Sequence, residues 1–230
     1  MSTIMSTAQR LRRHTMGAAL ILFPALLVVQ ASLDPGDGDT GDAAYAAASQ
    51  HAASLATSAV LLLISGILMA PAVAGILHQA RDRGSVLANL AAVTAVLGGF
   101  GHAAIAMYTL FTLPLTGGDP AQMAAYIERV NATPIINAVA FPLILCFALA
   151  VLTMAWAAWR AGLIGWWGPA VVTTLVLLHE LLPDPPPAVD VVSMIILTVV
   201  FGHLGLRILR MTDSQWNGSH HSAVPIPAHA

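Results

Sequence analysis

His179 and Glu180 adjoin in the stretch LVLLHELLPD, where an apolar run stops against Pro183. An imidazole beside a carboxyl in greasy surroundings is equipment for proton transfer, since an acid kept protonated by its surroundings can donate to a bound substrate. A zinc-protease helix would read His-Glu-x-x-His, and the place of the second histidine is taken by Pro183, so that chemistry is excluded. Two readings of Glu180 stand: a carboxylate about one helical turn from the end of its run that reaches water, or a catalytic acid.

His102 is the other unexpected group. It follows GGFG near the middle of an apolar segment, on a helical stripe with Ala95, Gly98, Gly99, Ala106 and Thr109. Charged side chains at the centre of a membrane helix cost roughly 2.5–3.5 kcal/mol on insertion scales, so ionisable residues there need a reason. Small residues at this spacing admit another helix or a ligand. Asn137 sits at a similar depth at the start of a later segment, and Phe100, Tyr108 and Phe141 are the aromatic rings available to wall a cavity. Glu180, His102 and His179 are therefore the candidate catalytic residues, with Gly98, Gly99, Phe100, Tyr108, Asn137 and Phe141 as candidate substrate contacts. His51, His78 and His203 lie nearer the segment ends. A haem between His102 and His179 is an open alternative, whereas His51 and His78 are too far apart along one helix to bind two stacked haems. No metal site and no cofactor is assigned.

These residues are set in a very apolar chain. Of 230 residues 57% are hydrophobic and 9% charged, against roughly 25% charged in soluble domains, and mean hydropathy is +0.78. All nine basic residues are arginine, the formal charge is -2, and no basic cluster offers a nucleic-acid face. The single cysteine, Cys146, excludes an intrachain disulfide. A hydrocarbon core of roughly 30 Å requires about 20 apolar residues as helix. Runs of that scale fall at residues 15–33, 52–77, 86–113, 134–159, 163–182 and 188–209. The expectation is an all-α polytopic membrane bundle of six transmembrane helices over residues 15–211. Residues 1–14 form a cytoplasmic amino-terminal segment, and residues 212–230 a polar, proline-bearing, disordered tail.

Arginine sets the orientation. With the amino terminus inside, Arg10, Arg12, Arg13, Arg81, Arg83, Arg160, Arg207 and Arg210 all fall on the cytoplasmic side and Arg129 alone outside. Both termini are thus expected in the cytoplasm, in a bacterial inner membrane. The basic AQRLRRH start resembles a secretory signal, but no compelling cleavage site follows, so the first run is read as a retained helix. DPGDGDTGD should be a solvated outer loop, and DPAQMAAYIERVNATP a short amphipathic surface helix, with Asp119 and Pro120 at its start. Trp156, Trp159, Trp166 and Trp167 belong to an interfacial belt. Pro24, Pro71 and Pro142, inside runs, can open space between helices. His102, His179, Glu180 and Asn137 all fall in the outer half, where the amphipathic helix could roof a polar cluster.

A multi-span chain with intramembrane acids resembles the small membrane-integral terpene cyclases of meroterpenoid and indole-terpenoid pathways. LMAPAVAGILHQARDRG and AWAAWRAGLIGWWG are also similar to segments of small multi-span actinobacterial membrane proteins. The cyclase resemblance implies acid-initiated cyclisation or isomerisation of an isoprenoid, with Glu180 at the position of the acid and Asp184 or Asp190 as substitutes. Its partners would be membrane lipid and a lipophilic small-molecule substrate. Against it stands the low aromatic content of 6%, because cyclases steer carbocations with aromatic faces. Two other classes stay open: a non-catalytic membrane partner of the immunity type, and a small-solute transporter, which at this length would have to assemble as a homo-oligomer.

Overall fold

The computed structural model describes residues 6–35, 40–81, 83–181 and 187–217, with the side chains of residues 180, 181 and 187 outside the description. Among these residues all regular structure is helical: α1 (Thr7–Leu33), α2 (Gly41–Gln50), α3 (Ala52–Gln79), α4 (Ser85–Thr112), a 3-10 turn (Leu113–Gly117), α5 (Pro120–Asn131), α6 (Pro134–Arg160), α7 (Trp167–Leu181), α8 (Pro187–Arg210) and α9 (Asp213–Asn217). Five of them, α1, α3, α4, α6 and α8, are long and apolar enough to cross a membrane. α7 has 15 residues, about 22 Å at helical rise, and is a shorter apolar helix.

The long helices pack as sequential antiparallel neighbours. α1 lies between α3 and α8, and α4 between α3 and α6. Ser65 of α3 donates to the Phe23 carbonyl at 2.9 Å, and Ser54 donates to that of Leu33. Phe23 meets Phe201 with ring centroids 5.2 Å apart, fixing α1 against α8. α7 completes the ring more lightly. Trp156 Nε1 donates to Thr173 Oγ1 at 3.2 Å, and the Arg207 guanidinium donates to the Leu163 carbonyl, just before α7, at 2.6 Å.

One end of the bundle, here the inner end, gathers both described chain ends. Arg13, 8% exposed, donates to the Met211 carbonyl at 2.7 Å and pairs with Asp213 at 3.0 Å. Trp216 is buried and stacks on His78 at 4.2 Å. The chain from residue 212 reads as disordered from its composition. Its first residues are instead folded as α9, because an indole and a carboxylate find partners on α3 and α1. Residues 218–230 lie outside the described residues. α1 likewise begins at Thr7, well before the apolar run, because Ser6 and Gln9 form a reciprocal capping box.

The opposite, outer end carries α2, the 3-10 turn and α5. α5 is the amphipathic helix expected from DPAQMAAYIERVNATP, capped by the Asp119 side chain on Gln122 N. α2 lies where no element is expected, in GDAAYAAASQ after the acidic loop. Thr40 accepts from Ala43 N, Asp42 stands in the first turn, and Tyr45 donates to the Thr116 carbonyl. Residues 36–39 of that loop lie outside the described residues.

Packing is densest at the inner half. Leu20, Phe23, Met69, Ile76, Met154, Val172, Leu204 and Ile208 are almost wholly buried there in one cluster. Toward the outer half the buried core thins to a small group around Leu27, Ala59, Leu62 and Ala106. Where it thins, a cavity opens.

Candidate functional site

The cavity occupies about 260 Å³ between α1, α3, α4, α6, α7 and α8. Its walls are almost entirely apolar, from Leu27 and Leu62 through Phe141, Ile144 and Phe147 to Val176, Met194 and Leu197. Phe141 and Ile144 are exposed, so the space is a cleft that opens outward at α6 rather than a sealed void. Four polar side chains enter this lining: Gln30, His102, His179 and Ser193.

His102 is held by its neighbours on two sides. Its ring lies 4.3 Å from that of Phe147, and its Cβ is so near α3 that a Cβ built on Gly66 would come within 3.1 Å of it. The residue is 6% exposed, and its Nδ1 is buried with no hydrogen-bond partner among the described residues. Leaving a buried polar atom unmatched costs about 1–3 kcal/mol, which a purely structural histidine would avoid by bonding a carbonyl. His102→Leu is accordingly expected to melt at or above the wild-type temperature in detergent while losing affinity for whatever fills the cleft. A stability loss of more than about 2 kcal/mol would make the residue a structural one.

His179 stands at the rim, its side chain about half exposed, with Nδ1 3.5 Å from Oδ1 of Asp190 on α8. That distance is longer than a standard hydrogen bond and short enough for an ion pair when the ring is protonated. Asp190 Oδ1 is itself buried and makes no hydrogen bond among the described residues. The imidazole thus has a carboxylate near enough to pair with it, an arrangement that a general acid or base can use. Gln30 donates its amide hydrogens to Asp34 at 3.1 Å and Ser58 at 3.2 Å, so what it can offer the cleft is a carbonyl oxygen.

His102, His179 and Phe141 therefore meet in one cleft. Of the other sequence candidates, Gly98, Gly99, Phe100, Tyr108 and Asn137 do not line it. Gly98 faces α6, where a Cβ would lie 2.7 Å from Phe147 Cα, and Gly99 faces α3, where a Cβ would lie 2.9 Å from the Gly66 carbonyl oxygen. The close approach that these glycines allow is made by helices. Phe100 points away from the bundle, 63% exposed. Tyr108 donates to Asn131 Oδ1 at 2.9 Å and Asn137 donates to the Asn131 carbonyl at 2.8 Å, so both tie α5 to the helices beneath it. No residue of α2, the 3-10 turn or α5 lines the cleft, so they do not roof it. The side chain of Glu180 lies outside the described residues, as does Asp184.

Phe147, Gln30 and Ser193 were missed by sequence reasoning, and Asp190 entered only as a substitute acid. A signal for Asp190 existed: it is a carboxylate within the first turn of an apolar helix, opposite in level to His179. Among the described residues no three His, Cys, Asp or Glu side chains converge as a metal site would require. The cleft is also slightly below the roughly 300–1,000 Å³ of small-molecule pockets, too small to enclose a haem macrocycle.

The chain matches no family model, no curated protein and no solved structure.

Proposed function

We propose that the protein is a six-pass integral membrane enzyme that binds a lipophilic molecule in the outer cleft and performs proton-transfer chemistry on it, with His179 and Asp190 as acid-base pair and His102 holding a polar group of the substrate. One observation carries this reading: an apolar cleft lined by a buried histidine without a partner among the described residues and, at its rim, by a second histidine that a carboxylate approaches from behind. Apolar walls with a few convergent polar groups select a greasy molecule with one hydrogen-bonding function.

Six passes are supported by direction. α6 ends at the inner end beside Arg83 and Gly84, and α8 starts at the outer end, so the chain must recross between them. α7 makes that return antiparallel to α8, with Leu163 beside Arg207, Trp167 beside His203 and His179 beside Asp190. The arginine distribution puts this inner end, with both described chain ends, in the cytoplasm of a bacterial cell.

Acid-initiated isoprenoid cyclisation or isomerisation is the specific form of this reading that the cyclase resemblance suggests. An imidazolium donor suits an epoxide or carbonyl oxygen better than a bare alkene, and Phe141 and Phe147 are the faces available to a cationic intermediate. A transporter would need a path through the inner half, where the packing is densest.

The test is mass spectrometry of a solvent extract of the purified protein beside that of Ala148→Trp. Ala148 lines the cleft, and an indole there would fill it. A lipophile enriched in the wild type and lost in a variant of unchanged melting temperature is the expected result. Bulk membrane lipid alone in both extracts would sink the cleft as a binding site.

A further inference from the structure

The inner end holds a second cavity, about 680 Å³, distinct from the outer cleft. It lies between the end of α3, the turn joining α6 to α7, the last turns of α8 and α9, and Gln79, Gly162, His203, Arg207, Arg210 and Gln215 supply its polar lining. Among the described residues no carboxylate lines it. Asp213 of α9 is already engaged by Arg13 at 3.0 Å and Arg10 at 3.5 Å. Arg207 uses Nη1 on the Leu163 carbonyl, which fixes the guanidinium at the wall and leaves the rest of its donor fork free. Arg210 makes no ion pair or hydrogen bond among the described residues. Across the Gly162 turn a neighbouring hollow of about 620 Å³ is lined by Arg83 and Arg160, so positive charge continues around the turn.

The depth of this cavity is marked by indoles. Trp167 touches the His203 ring edge-on at 6.0 Å, Trp166 is 73% exposed, and Trp159 borders the neighbouring hollow. Indoles collect at the level of lipid headgroups. Two arginines with no carboxylate beside them among the described residues, at that level and next to an open hollow, match a phosphate diester, which guanidinium groups bind by paired charge-assisted hydrogen bonds.

We propose that this cavity binds the phosphate of an anionic phospholipid headgroup from the leaflet at the inner end. The site rests on the membrane-spanning part of the reading above and on nothing in the outer cleft. Binding there would hold α9, the α6–α7 turn and α8 to one lipid and fix the depth of the bundle.

The test titrates detergent-purified, delipidated protein with phosphatidylglycerol or phosphatidylcholine and counts bound lipid by native mass spectrometry. Phosphatidylglycerol is expected to be retained in preference to phosphatidylcholine. Arg210→Gln is expected to weaken it about five-fold, from about 1 kcal/mol per basic residue at a lipid surface. Arg12→Gln removes the same charge from an exposed position on α1 outside the cavity and should leave retention unchanged. Equal retention of the two lipids, or equal losses in the two variants, would overturn the site. Inorganic phosphate at constant ionic strength should not displace the lipid; displacement would assign the cavity to a soluble phosphate and overturn the lipid. Recovery of the chain without detergent in the soluble fraction would sink the spanning reading separately, before any titration.

Discussion

Gly98→Leu is expected to destabilise the bundle by about 3 kcal/mol or more, the largest structural effect of any single substitution considered. A Cβ at Gly98 would lie 2.7 Å from Cα and 2.8 Å from N of Phe147, and a Cβ at Gly101 2.8 Å from the Leu143 carbonyl. The atoms met are backbone, so no side-chain rotation relieves the clash and α4 must move away from α6. Phe147 also carries the ring against which His102 packs, so the same displacement would open the cleft wall. Even Gly98→Ala should destabilise. Gly202 of α8 provides the control, since a Cβ there meets nothing within 4 Å and alanine replaces glycine with a better helix former. Thermal unfolding in detergent checks this. Equal melting of Gly98→Ala and Gly202→Ala would show that α4 and α6 do not pack this closely.

That contact also explains which parts of the site could be read from sequence. Length and hydropathy place the long helices, because in a bilayer a helix must satisfy its own backbone and be apolar throughout. The same uniform apolarity conceals how each helix is turned about its axis. On α4 the buried positions are small, Ala88, Ala91, Ala95, Gly98, Gly101 and Ala106, while Leu90, Val93, Phe100, Met107 and Phe111 are exposed. Phe100 reads as a cavity wall only if large apolar residues are taken to face inward, as in water. Once backbones are to touch, the inward face is the one with glycine and alanine. His102 falls on that face, on the stripe with Ala95, Gly98 and Ala106, and its place in the cleft is legible for that reason. His179 shares its level because α7 runs from the inner end of the bundle toward the outer, a matter of counting residues. Its pairing with Asp190 is not legible, since residues 182–186 between them, LPDPP, carry no periodicity from which a pairing could be read. α2 and α9 were missed for a related reason. Each is short, and each is held by contacts to distant elements, among them Tyr45 to Thr116 and Trp216 to His78, that leave no pattern in their own sequence.

His179→Gln is expected to lower conversion of the lipophile recovered from the cleft by at least about 100-fold, at the low end of what a positioned acid or base contributes. Glutamine approximates the reach of the imidazole but cannot exchange a proton, so retention of the lipophile should change far less than its turnover. Asp190→Asn should act in the same direction. The carboxylate lies 3.5 Å from Nδ1, and an amide in its place would carry no charge and could present either a donor or an acceptor to that nitrogen. If the two act as a unit, the double variant should be little worse than His179→Gln, because the second substitution removes a partner with nothing left to orient. Glu180→Gln distinguishes the two candidate acids on α7. Full loss there with His179→Gln unaffected would move the proton donor to Glu180, the residue that the cyclase resemblance favours. Undiminished conversion in all three variants would overturn His179 and Asp190 as the acid-base pair and Glu180 as its substitute, and would leave His102 as the one titratable side chain of the described lining through which a proton could still pass.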